Sequence, residues 1–506
     1  LEDIKAIIKL LSKQKVKQIE ILSEESKLSE KSLSLYNGIK EGSITNDDEA
    51  SAFLYNDDRN NPIYRVLKHR FKERLINTLF FIDVQAYGKS AHQKALNRNL
   101  RNWAASQILL NKGLSTAAIS IMETTLKSTI KFDMIELSLL ILKDLKMHYG
   151  LYNYNKKKYE KYKNQWLKIS HINQLKAEAE ELYISTGHIL ETKKSTKYDS
   201  RIKKYELRLV ELNKQALKID SYYFRYYVYI SNYIINMIKR DYKKQQEISK
   251  EALIYFKTKK GFNNYGVASF QQINGIIELN LKKYDLALSS FLKCLDFKPL
   301  EGRLYWQAIY NYIFLIHILK REYDQAYKIL SYIINHKSFK NIYSDFKQHW
   351  FLKEAFIQFL VGVGKIQPDK IKAQKLRPFR ITRFINEIPA LTADKRGYNV
   401  SIHIVHLLFL IIDEKYDVLI DKLDSLKQYS FRYLKSEEYT RARTFIKMLL
   451  MIPKYDYHTK TILTKTKNLH QKLMDTPMDF SEQAMSIEII PYEQLWEEVM
   501  GLLELI

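Results

Sequence analysis

Few residues in this chain combine type and spacing in a way that would support catalysis. Gly88-Lys89-Ser90 has the ending of a nucleotide phosphate loop. Such a loop needs a further glycine five places ahead of the Gly-Lys step, so that bare backbone can wrap the phosphates. Asp83 stands there, and the segment before it reads as helix rather than strand. Gly362-Val363-Gly364-Lys365 fails for the same reason. His403 and His406 are three apart on an expected helix and could share a face. A metal would need further ligands, and no neighbouring His-Glu constellation supplies them, so both read as buried or half-buried histidines. The single cysteine, Cys294, excludes an intrachain disulfide and a cysteine-rich zinc site, and it falls where a small residue would be buried. No Gly-x-Ser-x-Gly elbow is present, and no spacing pairs two carboxylates. No catalytic residue, metal or cofactor is therefore expected, and the chain reads as a non-enzyme.

Binding chemistry is better represented. A helix expected over 64–82 carries Leu67, Phe71, Leu75 and Leu79 on one stripe. Arg65, Lys68 and Lys72 follow at intervals of three and four and share a face; His69, Arg70 and Arg74 flank the stripe on its other side. Such a face can reach phosphates or guanine edges, or it can be the ordinary basic exterior of an amphipathic helix. A second basic cluster, Lys372, Lys375, Arg377, Arg380 and Arg383, lies among Pro368, Pro378 and Pro389. A dense tyrosine block, Tyr222, Tyr223, Tyr226, Tyr227, Tyr229 and Tyr233, suits core packing or the stacking of a bound base or peptide.

The elements that must position these side chains are helices. The 506 residues include only 14 glycines and 8 prolines, and no proline falls between Pro62 and Pro299. Proline-free sequence rich in Leu, Ile, Lys, Glu and Tyr favours helix over turn-rich sheet. With 46% hydrophobic and 27% charged residues, the chain can build a real core. Its formal net charge of +25 suits attraction to phosphate-rich polymers. The even spread of lysines suits solvated helix faces in a composition rich in Lys, Ile, Asn and Tyr. The longest apolar run, near 400–412, is shorter than the roughly 20 residues that a membrane span needs. Leu1–Leu11 carries charges and no cleavage pattern, so the cytoplasm is the expected compartment and no membrane contact is expected.

Four segments are expected. Residues 1–84 form a small, mostly helical module of short helices, a turn and a longer basic helix, a layout seen in helix-turn-helix modules. A short strand over 18–22 and a capping-box start at Thr45 belong to it. Residues 85–365 form helix pairs, including a long Lys-rich helix over 156–190. Residues 366–399 are an irregular basic connector, and residues 400–506 return to helix pairs ending in a capping helix. Within the second segment, Gly275, Tyr284, Ala287, Phe291 and Pro299 are spaced as one helix pair and its stop would need. Gly275 and Ala287 let two helices approach, Phe291 fills the gap to the next pair, and Pro299 stops the helix. Lys282-Lys283-Tyr284-Asp285-Leu286-Ala287 returns 39 residues later as Arg321-Glu322-Tyr323-Asp324-Gln325-Ala326, with echoes at Arg240-Asp241-Tyr242 and Glu414-Lys415-Tyr416-Asp417.

These positions resemble the tetratricopeptide-repeat superfamily over roughly 268–334, with degenerate units on both sides. Phe314 stands where the second unit would have glycine. The resemblance implies an all-α fold, an α-solenoid of antiparallel helix pairs. It also implies a concave groove lined by the first helix of each pair. Carried onto this sequence, the groove positions are Tyr227, Ile230, Ser269, Gln272, Ile276, Asn280, Asn311 and Leu315. A protein or peptide partner in that groove is the first functional expectation. A nucleic-acid-binding regulator is the second, using Arg65, Lys68 and Lys72 with Lys375, Arg377 and Arg380. Arg396 and His403, with six residues between them, resemble the Arg-x4–6-His motif of HEPN ribonucleases, which implies RNA cleavage as a remote third.

Overall fold

Helical propensity wins along the chain because almost nothing in it breaks a helix. The computed structural model describes residues 1–12, 27–56, 61–80, 90–191, 200–259, 261–262, 264–297, 301–342, 344–387, 398–435, 439–478, 480 and 488–505. Among these residues no strand occurs. The strand expected over 18–22 lies outside them. Two compact units are present. The first comprises Leu1–Ala177, Ser221–Tyr223 and Lys259–Asn263, and the second holds the remainder.

The first unit opens with α1 (Glu2–Leu11), α2 (Lys27–Glu41), α3 (Asp47–Tyr55) and α4 (Pro62–Leu79). Tyr64, Leu67, Phe71 and Leu75 of α4 close over Ile4, Ile8, Leu35 and Ile44, with Leu79 partly buried beside them. α4 starts sharply because Pro62 needs no N–H partner and Asn61 accepts from the Ile63 and Tyr64 N–H groups. The α3 cap falls one residue later than expected. Asn46 accepts from the Glu49 N–H, and the Glu49 carboxylate accepts from Thr45. Next come α5 (Ala91–Asn111), α6 (Ser115–Lys131), α7 (Ile135–Met147) and the long α8 (Lys156–Glu191), inside which the division between units falls. Between α7 and α8 the chain makes one π-turn, His148–Tyr152.

The second unit is an array of helices in which each packs on its sequence neighbours. Its elements are α9 (Ser200–Lys218), α10 (Tyr222–Ile238), α11 (Tyr242–Thr258), α12 (Tyr265–Asn280), α13 (Tyr284–Leu295), α14 (Leu304–Leu319), α15 (Tyr323–Asn335) and α16 (Ser344–Gly362). There follow α17 (Ile381–Glu387), α18 (Tyr398–Ile412), α19 (Tyr416–Tyr433), α20 (Thr440–Leu449), α21 (Met451–Lys454), α22 (Thr459–Asp475) and α23 (Tyr492–Leu505). The class is an all-α solenoid of antiparallel helix pairs.

The recurring Lys-Lys-Tyr motif has a local cause. At Gly113, Asp133, Arg240, Lys282, Arg321, Gly364 and Glu414 the backbone enters the left-handed region, with φ between 54° and 78°. The next N–H then reaches back over the turn to a carbonyl five residues earlier at 2.8–2.9 Å, as from Lys283 to Glu278 and from Glu322 to His317. This is the Schellman closure of a helix end. Tyr242, Tyr284, Tyr323 and Tyr416 begin the following helix. Close approach also follows the expected pattern at Gly275, where a Cβ would stand 2.8 Å from the Phe291 ring. Ala287 is fully buried, and Phe291 stacks on Tyr312 at 4.6 Å. Phe314 instead fills its space, buried beside Trp350. Pro299 and Pro389 lie outside the described residues.

The described part of the connector, 366–387, is packed rather than loose. After a single turn at Pro368–Lys370 it runs extended, and Ile371, Ala373, Leu376 and Phe379 turn inward onto the core. The Tyr327 hydroxyl accepts from the Leu376 N–H at 3.4 Å, and the Ser331 hydroxyl donates to the Gln374 carbonyl. At the chain's end, Arg441 donates to the carbonyls of Leu473 and Thr476 and to the carboxylates of Glu488 and Glu493. α23 then reaches back to the α14–α15 turn, where Gln494 donates to the Leu319 carbonyl and Glu497 pairs with Arg321 at 2.6 Å.

Candidate functional site

The eight expected groove residues fall on three helices of the second unit: α10, α12 and α14. Ile230, Ile276, Asn311 and Leu315 are buried, whereas Tyr227, Ser269, Gln272 and Asn280 are half-buried. The Tyr227 hydroxyl donates to Glu180 at 2.9 Å, and its ring lies 5.9 Å from that of Tyr183. Burial and the Glu180 carboxylate hold the Tyr227 phenol above its ordinary pKa, so it remains a neutral donor. The rest of the tyrosine block is largely structural. Tyr226 and Tyr229 pack edge-on against Phe256 and Phe270, and the Tyr226 hydroxyl reaches Ser269 at 3.4 Å.

The face of α12 and α14 already carries a segment of the same chain. Phe480 is buried in the cluster formed by Ile276, Leu279, Ile309, Tyr312, Ile313 and Leu315, with Met478 packed against it. The Asn280 side-chain oxygen accepts from the Phe480 N–H at 3.4 Å and faces the Tyr242 hydroxyl at 3.5 Å. The Asn280 amide nitrogen is tied to the Ile276 carbonyl at 2.9 Å, which fixes the direction of the acceptor. Nothing in the sequence marks this partnership, because its members are 200 residues apart.

The basic candidates are engaged to different degrees. Lys68 pairs with Asp47 at 2.7 Å, and the Tyr64 hydroxyl donates to the same carboxylate at 2.6 Å. Burial opposes ionisation of Asp47, but the Lys68 ammonium and the Tyr64 hydroxyl outweigh it and bring its pKa down to about 2. Lys72 pairs with Asp3 at 2.7 Å. These two lysines thus tie α4 to α3 and α1, while Arg65, His69 and Arg70 are exposed. In the connector, Lys375 pairs with Asp369 at 2.7 Å, and Arg377 lies 5.0 Å over the Phe351 ring and 3.8 Å from Glu354. Arg380 is exposed.

The residues weighed for catalysis sit as follows. His403 and His406 are half-buried, and His403 packs against Tyr429 at 5.7 Å. Burial, reinforced by Lys422, lowers both pKa values. No cluster of metal-binding side chains occurs among the described residues, and Arg396 lies outside them. Gly88 and Lys89 are also outside, and Ser90 caps α5 by accepting from the Gln93 N–H. Gly364 is a helix-ending glycine, and Lys365 pairs with Glu498 at 3.0 Å. Cys294 is fully buried, which raises its thiol to about 11. A buried lysine escaped the sequence reading. Lys353 lies 5.0 Å from the Trp350 ring and 5.9 Å from Phe314, and burial lowers its pKa to about 7. No described helix is long and apolar enough to cross a membrane.

The fold and this face define the class: a helical-repeat array in which Met478 and Phe480 of the same chain pack against α12 and α14. Comparison with known proteins finds no matching family model, no matching curated protein and no matching solved structure.

Proposed function

We propose that the second unit is a peptide-binding scaffold of the tetratricopeptide kind and not an enzyme. It takes an extended partner segment on the face formed by α10, α12 and α14. The supporting observation is Met478 and Phe480 of the same chain, which lie against the α12 and α14 part of that face with a buried aromatic ring and a backbone N–H on Asn280. A surface that accepts this geometry from its own chain has the chemistry to accept it from another: an apolar socket for one bulky side chain and a fixed amide for the backbone. The native segment then acts as a local competitor at high effective concentration.

The test uses the full chain with Phe480→Ala and a labelled peptide of residues 474–487. The peptide binds the variant and not the wild type, and a peptide with alanine in place of its phenylalanine does not bind. Adding Asn280→Ala weakens binding about fivefold, the worth of one hydrogen bond. A Phe480→Ala chain that keeps its helical circular dichroism yet ignores the peptide removes the proposal.

A further inference from the structure

A second surface, wholly within the first unit and independent of the groove, lies where α7 gives way to α8. Residues 143–171 hold eight lysines against two acids, with tyrosines interleaved. Both acids are engaged: Asp144 accepts from Gln107 at 2.7 Å, and Glu160 pairs with Lys163 at 3.4 Å. Side chains at the end of the π-turn and just beyond it face solvent. Leu151, Tyr152 and Tyr154 are 69%, 79% and 70% exposed, which is unusual for residues that could have been buried.

This turn is held rigidly from beneath. Glu123 accepts from the hydroxyls of Tyr149 (3.0 Å) and Tyr162 (2.8 Å) and from Lys158 (3.2 Å), and Lys158 donates in turn to Tyr149 at 2.8 Å. Asn155 caps α8 by accepting from the Lys158 N–H at 3.0 Å. Beyond it, Lys157, Lys161, Asn164, Lys168 and His171 follow at intervals of three and four and are all exposed. They form one stripe about 21 Å long at 1.5 Å per residue. Lys156, Lys157, Lys161 and Lys168 make no ion pair with a described residue. Two bare aromatic rings therefore stand at the head of a rail of uncompensated ammonium groups, beside a helix N-terminus that also favours anions.

We infer that this surface binds single-stranded RNA, with unpaired bases stacking on Tyr152 and Tyr154 and the phosphates following Lys156, Lys157, Lys161 and Lys168. The charge is complementary to a polyanion, and the exposed rings select a strand whose base faces are free. An acidic protein would match the lysines and leave the two rings in water. Asn153, between the tyrosines, and Asn164, on the rail, are both exposed and offer amides to a 2′-hydroxyl, which is the group that separates RNA from DNA.

Fluorescence anisotropy of the full chain with a labelled oligouridylate tests this against oligothymidylate, an RNA duplex and a polyglutamate peptide. Oligouridylate binds most tightly. Tyr152→Ala with Tyr154→Ala weakens it at least about tenfold. Replacing Lys157, Lys161 and Lys168 with glutamine lowers the slope of log affinity against log salt by about 2. These side chains are exposed, so unchanged circular dichroism is expected for both variants. RNA binding that both variants leave intact overturns the inference. So does binding of the duplex, oligothymidylate or polyglutamate as tight as that of oligouridylate.

Discussion

Asp133 ties the end of α6 to a distant stretch of the first unit, accepting from the Ser221 hydroxyl at 2.8 Å and the Tyr223 N–H at 3.3 Å. Burial raises its pKa to about 6, above the ordinary aspartate range, despite those donors. The fold therefore holds the proton more tightly than the unfolded chain does. Its contribution to stability is complete below about pH 4 and falls as pH rises to about 6, by up to about 3 kcal/mol. Asp133→Asn keeps an acceptor and tolerates the left-handed backbone, so urea unfolding of the variant lacks this decline over the same window. Lys353 behaves oppositely on the pH axis. Its depressed pKa means that the unfolded chain binds the extra proton between about 7 and 10.5, so wild-type stability rises with pH there. Lys353→Met removes that rise and raises stability at pH 7 by on the order of 2 kcal/mol, read from denaturation midpoints at neutral and alkaline pH.

At the scale of elements, the repeated turn matters more than any one helix. Lys282, Arg321, Arg240 and Glu414 hold positive φ without being glycine, although an L side chain there meets the following carbonyl. All four side chains are exposed. Lys282 is exposed at its turn. Lys282→Gly should stabilise by about 1 kcal/mol, because it removes the Cβ penalty and leaves the 2.8 Å closure from Lys283 to Glu278 in place. A lower melting temperature for this variant would show that the lysine contributes something beyond its backbone. The recurring Lys-Lys-Tyr motif is thus a record of turn geometry.

At the scale of the whole second unit, chain ends matter. Arg441 is buried and bound to two carbonyls and two carboxylates, so it fastens the stretch after α22 and the start of α23 to α20. Arg441→Ala leaves Glu488 buried without its cation and should cost about 3–5 kcal/mol. Hydrogen exchange would show faster labelling in α23 and at Phe480, with α12 and α14 also loosened because they lose the packing of Met478 and Phe480. Exchange confined to α20 would refute that coupling. The Phe480 contact makes this array close on itself in a way that nearest-neighbour stacking alone does not.

Helicity, the apolar stripe of α4 and the close pair built on Gly275, Ala287 and Phe291 were determined by the sequence alone, because each depends on residues within one helix or on the helix next to it in the chain. The same holds for the repeated turn, whose marker was legible though its meaning was not. Tertiary structure alone decided which charges remain free and which surfaces remain open. Lys68 and Lys72 could be placed on one basic face from the sequence, but not the acids they pair with, which come from α3 and α1. The face of α12 and α14 carried no mark of what covers it, and Phe480 arrives there from far along the chain. The lysine rail of α8 read as an ordinary solvated helix, and only folding showed that its acids are engaged and its tyrosines bare. Local pattern specifies what a segment can become; long-range pairing specifies which of its groups are left to act.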